Sequence, residues 1–89
     1  MSDWITEEQY WREHFATRPY AEGIAFDVLG VGYRYGHESA QKHQGRPWDD
    51  VEQDLERDWH TYEHRGESTW QQVKDAVKDA WDRATGAAR

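Results

Sequence analysis

Three side chains in the second half of the chain have the types and the spacing of a metal site. Glu56, His60 and His64 follow one another at intervals of four residues, which places them on one face of a helix. Imidazole nitrogen and carboxylate oxygen are suitable ligands for a divalent metal. This face lies outside the apolar stripe of its helix, so surface histidines with adventitious affinity for nickel or zinc are the alternative interpretation.

A glycine-rich segment and one further histidine are candidates for ligand binding. Residues 30–36 contain three glycines and precede helical sequence, but they lack the preceding strand and the Lys-Ser/Thr pair of a phosphate loop. Close packing of a neighbouring helix against Gly32 and Gly36 is the favoured interpretation. His37 falls in the core phase, where it is either a pH-sensitive element or a histidine hydrogen-bonded within the core.

Acidic residues alternate along the third predicted helix: Asp50, Glu52, Asp54, Glu56 and Asp58. On a helix they spread around the solvated side, and the glycine that turns an EF-hand loop is absent. A solvated face is the first interpretation, and a docking surface for a basic partner is the second. No Ser/His/Asp arrangement stands out. We therefore predict a protein without enzymatic activity and without a cofactor.

Aromatic and arginine residues outside the core stripes are candidates for partner contact. Tyrosine, tryptophan and arginine are enriched in binding patches. We predict partner-binding roles for Tyr20, Arg34, Tyr35 and Arg46, and we expect the two arginines to pair with acids of the third helix.

The elements that must position these residues follow from a repeat of 22 residues. Four sets of residues carry it: Trp4, Phe26, Trp48 and Trp70; Glu7, Leu29, Val51 and Val73; Trp11, Tyr33, Leu55 and Val77; Phe15, His37, Trp59 and Trp81. Within each unit the offsets of 3, 4 and 4 residues form one stripe of a helix. The repeat reflects either duplication or equal lengths of helix and connector, and Glu7 fits its core phase poorly.

This pattern predicts one all-α domain, residues 1–89, with ends that fray at about 1–4 and 86–89. We expect three main helices, at about 28–43, 48–64 and 69–85, and a shorter N-terminal helix at about 7–17. Capping boxes are predicted at Thr6 with Gln9 and at Ser68 with Gln71. Gly45 has the position of a left-handed cap.

Composition narrows the classes of partner. Only 36% of the residues are hydrophobic and 33% are charged, but the helical phase of the apolar residues argues against disorder. The net charge of −7 would repel nucleic acid and anionic membranes. There is no cysteine, no signal-peptide pattern and no apolar run long enough to span a bilayer. These features predict a cytoplasmic protein.

From Trp11 to Arg83 the chain resembles a group of small bacterial proteins of unassigned function. The resemblance rests on short motifs and on the tryptophan spacing: Tyr33-Arg34-Tyr35-Gly36, Gly45-Arg46-Pro47-Trp48-Asp49-Asp50-Val51-Glu52, Arg57-Asp58-Trp59, Trp70-Gln71-Gln72-Val73-Lys74-Asp75-Ala76-Val77 and Trp81. Some members stand alone, and others are tails of stress-associated proteins, including ones with PRC-barrel-type domains. The resemblance implies a helical fold and a stress-related or envelope-maintenance role, and it supplies no catalytic residues.

The leading functional hypothesis is therefore a protein-interaction or stress-protective module, which uses a Tyr/Trp/Arg surface on an acidic helical bundle. Its partner would be another protein or a second copy of the chain, and a subunit of a larger assembly is a further possibility. The alternative is a small metal-binding protein that uses Glu56, His60 and His64.

Overall fold

The computed structural model describes residues 4–66 and 68–86. Helix α1 is Trp4–His14, followed by two short 3-10 turns at Phe15–Thr17 and Pro19–Ala21; α2 is Phe26–Lys42, α3 is Trp48–Trp59 and α4 is Trp70–Thr85. These residues contain no β-strand, which confirms the all-α prediction. None of the helices in these ranges is long and apolar enough to cross a membrane. The ends predicted to fray lie mostly outside the described residues.

The 22-residue repeat corresponds to the start of each helix. Its first set consists of the first residues of α1, α2, α3 and α4: Trp4, Phe26, Trp48 and Trp70. Its second and third sets are buried throughout. Each of the first three helices, with the connector that follows it, therefore occupies 22 residues, and the repeated positions form the core stripe that the sequence predicts.

Helices α2 and α4 form the central pair of the bundle, and two glycines of α2 allow their close approach. A Cβ at Gly32 would lie 2.8 Å from the Cβ of Val73. A Cβ at Gly36 would overlap the carbonyl oxygen of Val77 and lie 3.0 Å from the Cβ of Ala80. The predicted role of these glycines in helix packing is confirmed.

The other two helices pack on the α2–α4 pair through separate hydrophobic clusters. One hydrophobic cluster joins α3 to the pair through Val51, Leu55 and Trp59. A second cluster joins α1 and the 3-10 turn to the pair through Trp11 and Ala21. Helices α1 and α3 thus bury different residues of the central pair.

Glu7, the acid in a core phase of the repeat, is buried with an ionic partner. It is 7% exposed, and its Oε1 accepts a hydrogen bond of 2.8 Å from Nε of Arg83 on α4. The guanidinium of Arg83 also lies 3.5 Å from the ring centroid of Tyr10. The position is a core position that carries a buried ion pair instead of an apolar side chain.

Several predicted boundaries and caps differ from the structure. Helix α1 begins at Trp4, so Thr6 lies inside it and does not cap it. Helix α2 begins at Phe26, two residues before its predicted start at about 28. Helix α4 is capped by Thr69 with Gln72 rather than by Ser68, since Ser68 donates its hydroxyl to the carbonyl of Val28.

Helix α3 ends at Trp59, five residues before its predicted end. Two i to i+3 backbone bonds follow, from Thr61 to Asp58 and from Tyr62 to Trp59, and they tighten the chain out of the α-helix. The indole of Trp59 donates to the carbonyl of Ser68 at 3.1 Å. The chain after α3 is therefore a turn held against the core.

Candidate interaction groove

The early end of α3 separates the three predicted metal ligands. Glu56 lies on the exposed side of α3, and Nδ1 of His60 lies 3.0 Å from the backbone carbonyl oxygen of Glu56. His64 lies in the turn beyond the helix, with Nε2 3.5 Å from Oε1 of Glu63. Helical spacing from His60 to His64 is thus lost. In residues 4–66 and 68–86, no three His, Cys, Asp or Glu side chains are grouped as a metal would require.

The four predicted partner-binding residues lie in different surroundings. Tyr35 is only 6% exposed, and its hydroxyl donates to the carbonyl of Leu55 at 2.8 Å. Tyr20 is half-buried, and its hydroxyl is bonded to Asp79 and to the hydroxyl of Tyr33. Neither tyrosine presents a free hydroxyl to a partner.

The two arginines in that prediction are half-exposed and paired. Nη2 of Arg46 lies 3.5 Å from Oδ2 of Asp54, which confirms the expected pairing with α3. Nε of Arg34 instead donates to Glu38 of its own helix at 3.0 Å. Residues 34 and 38 are four apart, the spacing at which charged side chains meet along a helix.

A groove of about 630 Å³ lies between α2 and the end of α3 with its following turn. Its lining residues are Tyr35, Glu38, Ser39, Lys42 and His43 from α2, and Leu55, Asp58, Thr61, Tyr62 and Glu63 from the other side. The α2 positions recur at helical spacing and form one face of that helix. Because α3 packs on α4 rather than closely along α2, the space between α2 and α3 stays open.

The floor of the groove is a packed aromatic group. The ring centroid of Tyr35 lies 5.1 Å from that of Trp59 and 4.7 Å from that of Tyr62. Such tilted and edge-on arrangements are the preferred geometries of aromatic pairs. Since Trp59 is buried among residues of the core cluster, the floor is held by the core of the bundle.

Hydrogen bonds to a single carboxylate of α2 join the two sides of the groove. Oε1 of Glu38 accepts from the hydroxyl of Tyr62 at 2.9 Å, and Oε2 accepts from Arg34 at 3.0 Å. Burial and the hydrogen bond to Glu38 raise the pKa of Tyr62 above its usual range. The Tyr62 hydroxyl therefore keeps its proton, and can donate this hydrogen bond, at an alkaline pH where a free tyrosine ionises.

Negative charge is concentrated beside this groove. Residues 48–63 contain seven acids and one arginine, a net charge of −6 out of −7 for the whole chain. Four of these acids are exposed and form no ion pair with another residue of the described ranges: Asp49, Asp50, Glu52 and Glu56. The surface next to the groove thus attracts cations and repels anionic ligands.

The sequence predicts a role for only some of the residues that line the groove. Asp58 belongs to the acidic row whose second interpretation is a docking surface for a basic partner, whereas Glu38, Lys42 and Glu63 have no predicted role in a site. The spacing of Glu38 and Lys42 along α2 signals a common face, but no sequence signal places that face opposite residues 58–63. That juxtaposition depends on where α3 ends.

The remaining candidates of the sequence lie away from the groove floor. His37 is buried at 4% exposure, with its ring centroid 5.9 Å from that of Trp4 and Nε2 3.4 Å from the Gln41 amide. Its predicted place in the core is confirmed. The glycine-rich segment lies inside α2.

No family model, curated protein or solved structure matches this chain significantly, so the resemblance to small stress-associated bacterial proteins stays a prediction.

Proposed function

We propose that this chain is a protein-interaction module without enzymatic activity, and that its partner binds in the groove between α2 and the end of α3. The observation that carries the proposal is the position of this groove beside the segment that holds a net charge of −6. We place the module in the cytoplasm, and a stress-protective role would agree with the resemblance noted in its sequence.

The construction of the groove supports this proposal. A preformed site loses less conformational entropy on binding than a flexible one. Here the floor is aromatic and packed on the core, and the Tyr62–Glu38–Arg34 hydrogen bonds join the turn after α3 to α2. Thr61 and Glu63 at the rim are exposed. The groove therefore combines a rigid base with a polar and accessible rim, as protein interfaces do.

Site-specific photocrosslinking in living cells of the host tests the proposal. Benzoylphenylalanine replaces Thr61 at the rim in one variant and Gln71, exposed on α4 outside the groove, in the matched control. We expect a defined protein conjugate from position 61 and none from position 71. Identical conjugates from both positions, or none from either, would contradict the proposal.

A further inference from the structure

The chemistry of the groove walls indicates which kind of partner segment it accepts. Three carboxylates line the groove, those of Glu38, Asp58 and Glu63, against the single ammonium of Lys42. Glu38 already has hydrogen-bond donors on both oxygens. The side chain of Glu63 is 84% exposed, and Nε2 of His64 lies 3.5 Å from its Oε1. Asp58 accepts a hydrogen bond of 3.1 Å from Nε of Arg57 at Oδ1, which leaves its Oδ2 and the carboxylate of Glu63 for an incoming cation.

The aromatic floor suits a cation on a long aliphatic stem. Arginine and lysine lay their methylene groups along apolar surface while the charged head reaches water or an acid. Tyr62 is half-buried and lines the groove together with these two acids, and cations are attracted to the faces of such rings. A guanidinium can also bind a carboxylate through two parallel hydrogen bonds.

Resting on the proposed function, we propose that the occupant of the groove is a basic peptide segment of a partner protein, with an arginine or lysine side chain bound between Asp58 and Glu63 over the Tyr62 ring. The net charge of −6 on residues 48–63 draws such a segment toward the groove over a distance of several ångströms. The same negative charge would repel a phosphorylated or acidic segment.

Fluorescence anisotropy with a defined probe tests this proposal. The probe is a labelled synthetic peptide of arginine, alanine and leucine, and the control peptide carries citrulline, the neutral isostere, at every arginine. We expect saturable binding of the arginine peptide at low ionic strength, weaker binding as salt is added, and no saturable binding of the citrulline peptide. Equal binding of both peptides, or binding of neither, would overturn the inference.

Two matched double variants separate the groove from the overall charge. Asp58→Asn with Glu63→Gln removes the two groove acids, whereas Glu13→Gln with Asp75→Asn removes one exposed Asp and one exposed Glu elsewhere. Both change the net charge by the same amount. We expect the first to weaken binding at least about tenfold and the second by less than about twofold. Equal weakening in both would show nonspecific attraction and overturn the inference.

A measurement on the wild-type protein tests the same inference without depending on whether the variants fold. Titration of the wild-type chain with the arginine peptide should shift the backbone amide resonances of residues 58–63 more than those of α4. Larger shifts in α4 would contradict the groove as the binding site.

The crosslinking and peptide experiments fail in different ways. A protein conjugate at position 61 without binding of the arginine peptide would refute the basic segment and leave the interaction module supported. A conjugate of the chain with itself would also refute the basic segment and support the interaction module, with a second copy of the chain as the occupant of the groove. Peptide binding without any conjugate at position 61 would instead refute the proposed function.

Discussion

Gly36 sets the distance between α2 and α4, and its substitution tests how tightly that pair is packed. A Cβ at this position would overlap the backbone carbonyl oxygen of Val77, which cannot rotate away as a side chain can. We expect Gly36→Ala to lower the free energy of unfolding by about 2 kcal/mol, despite the gain of up to about 1 kcal/mol in helix propensity. Urea unfolding followed by tryptophan fluorescence measures the change.

Gly30 provides the matched control in the same helix. A Cβ there would meet the edge of the Phe26 ring at 2.9 Å, and this ring can turn aside. The free energy of unfolding of Gly30→Ala should stay within about 1 kcal/mol of the wild-type value. If both variants lose equal stability, helix packing through Gly36 is not what limits the approach of α2 and α4.

At the scale of the elements, the attachment of α1 depends on the buried ion pair between Glu7 and Arg83. Removal of the arginine leaves a buried carboxylate without its cation. We expect Arg83→Met to destabilise the protein by about 1–3 kcal/mol, less than the loss of a fully buried pair, because Arg83 is partly exposed to water. Faster hydrogen exchange of the α1 amides would locate the effect.

The 22-residue repeat indicates which second substitution should restore the stability that Arg83→Met loses. Position 7 corresponds to the apolar positions Leu29, Val51 and Val73 of the other helices. Addition of Glu7→Leu to Arg83→Met should restore most of the lost stability, since apolar residues can replace buried ion pairs at little cost. A double variant that is less stable than Arg83→Met alone would contradict a core role for this position.

The sequence predicts the helices better than it predicts their ends. The apolar stripe identifies every helix, because burial of a repeated face drives their formation. It misplaces the end of α3, since Tyr62 continues the helical phase after Trp59 while the chain has already entered a turn. The groove depends on that turn, and so the face of α2 that carries Glu38 could not be matched with Asp58 and Glu63 from the sequence.

Across the whole molecule, tyrosines from several elements have a side-chain pKa above the ordinary value. Burial raises the pKa of Tyr20, Tyr33, Tyr35 and Tyr62 above the ordinary value. They belong to the 3-10 turn after α1, to α2 and to the turn after α3. In the native state these hydroxyls hold their protons at a pH where those of the unfolded chain release them.

This difference in proton binding predicts a loss of stability in alkaline solution. Tyrosines of the unfolded chain ionise near pH 10, whereas in the folded chain Tyr35 is held neutral by burial. The stabilisation is complete below about pH 10 and is lost as the pH rises, because the native state then binds more protons than the unfolded state. For Tyr35 alone the loss approaches about 1.4 kcal/mol per pH unit well above pH 10. Urea unfolding at a series of pH values from about 9 to 11 measures it.

Tyr35→Phe separates this effect from the titration of lysines in the same range. The variant loses the hydrogen bond to the Leu55 carbonyl and should be less stable at neutral pH by about 1 kcal/mol. Its stability should nevertheless fall less steeply above pH 10 than that of the wild type. Phenylalanine has no hydroxyl to ionise, so position 35 no longer contributes a difference in proton binding between the folded and unfolded states. If the stabilities of the two proteins fall in parallel with pH, Tyr35 has the same pKa in the folded and unfolded states, and burial does not raise it.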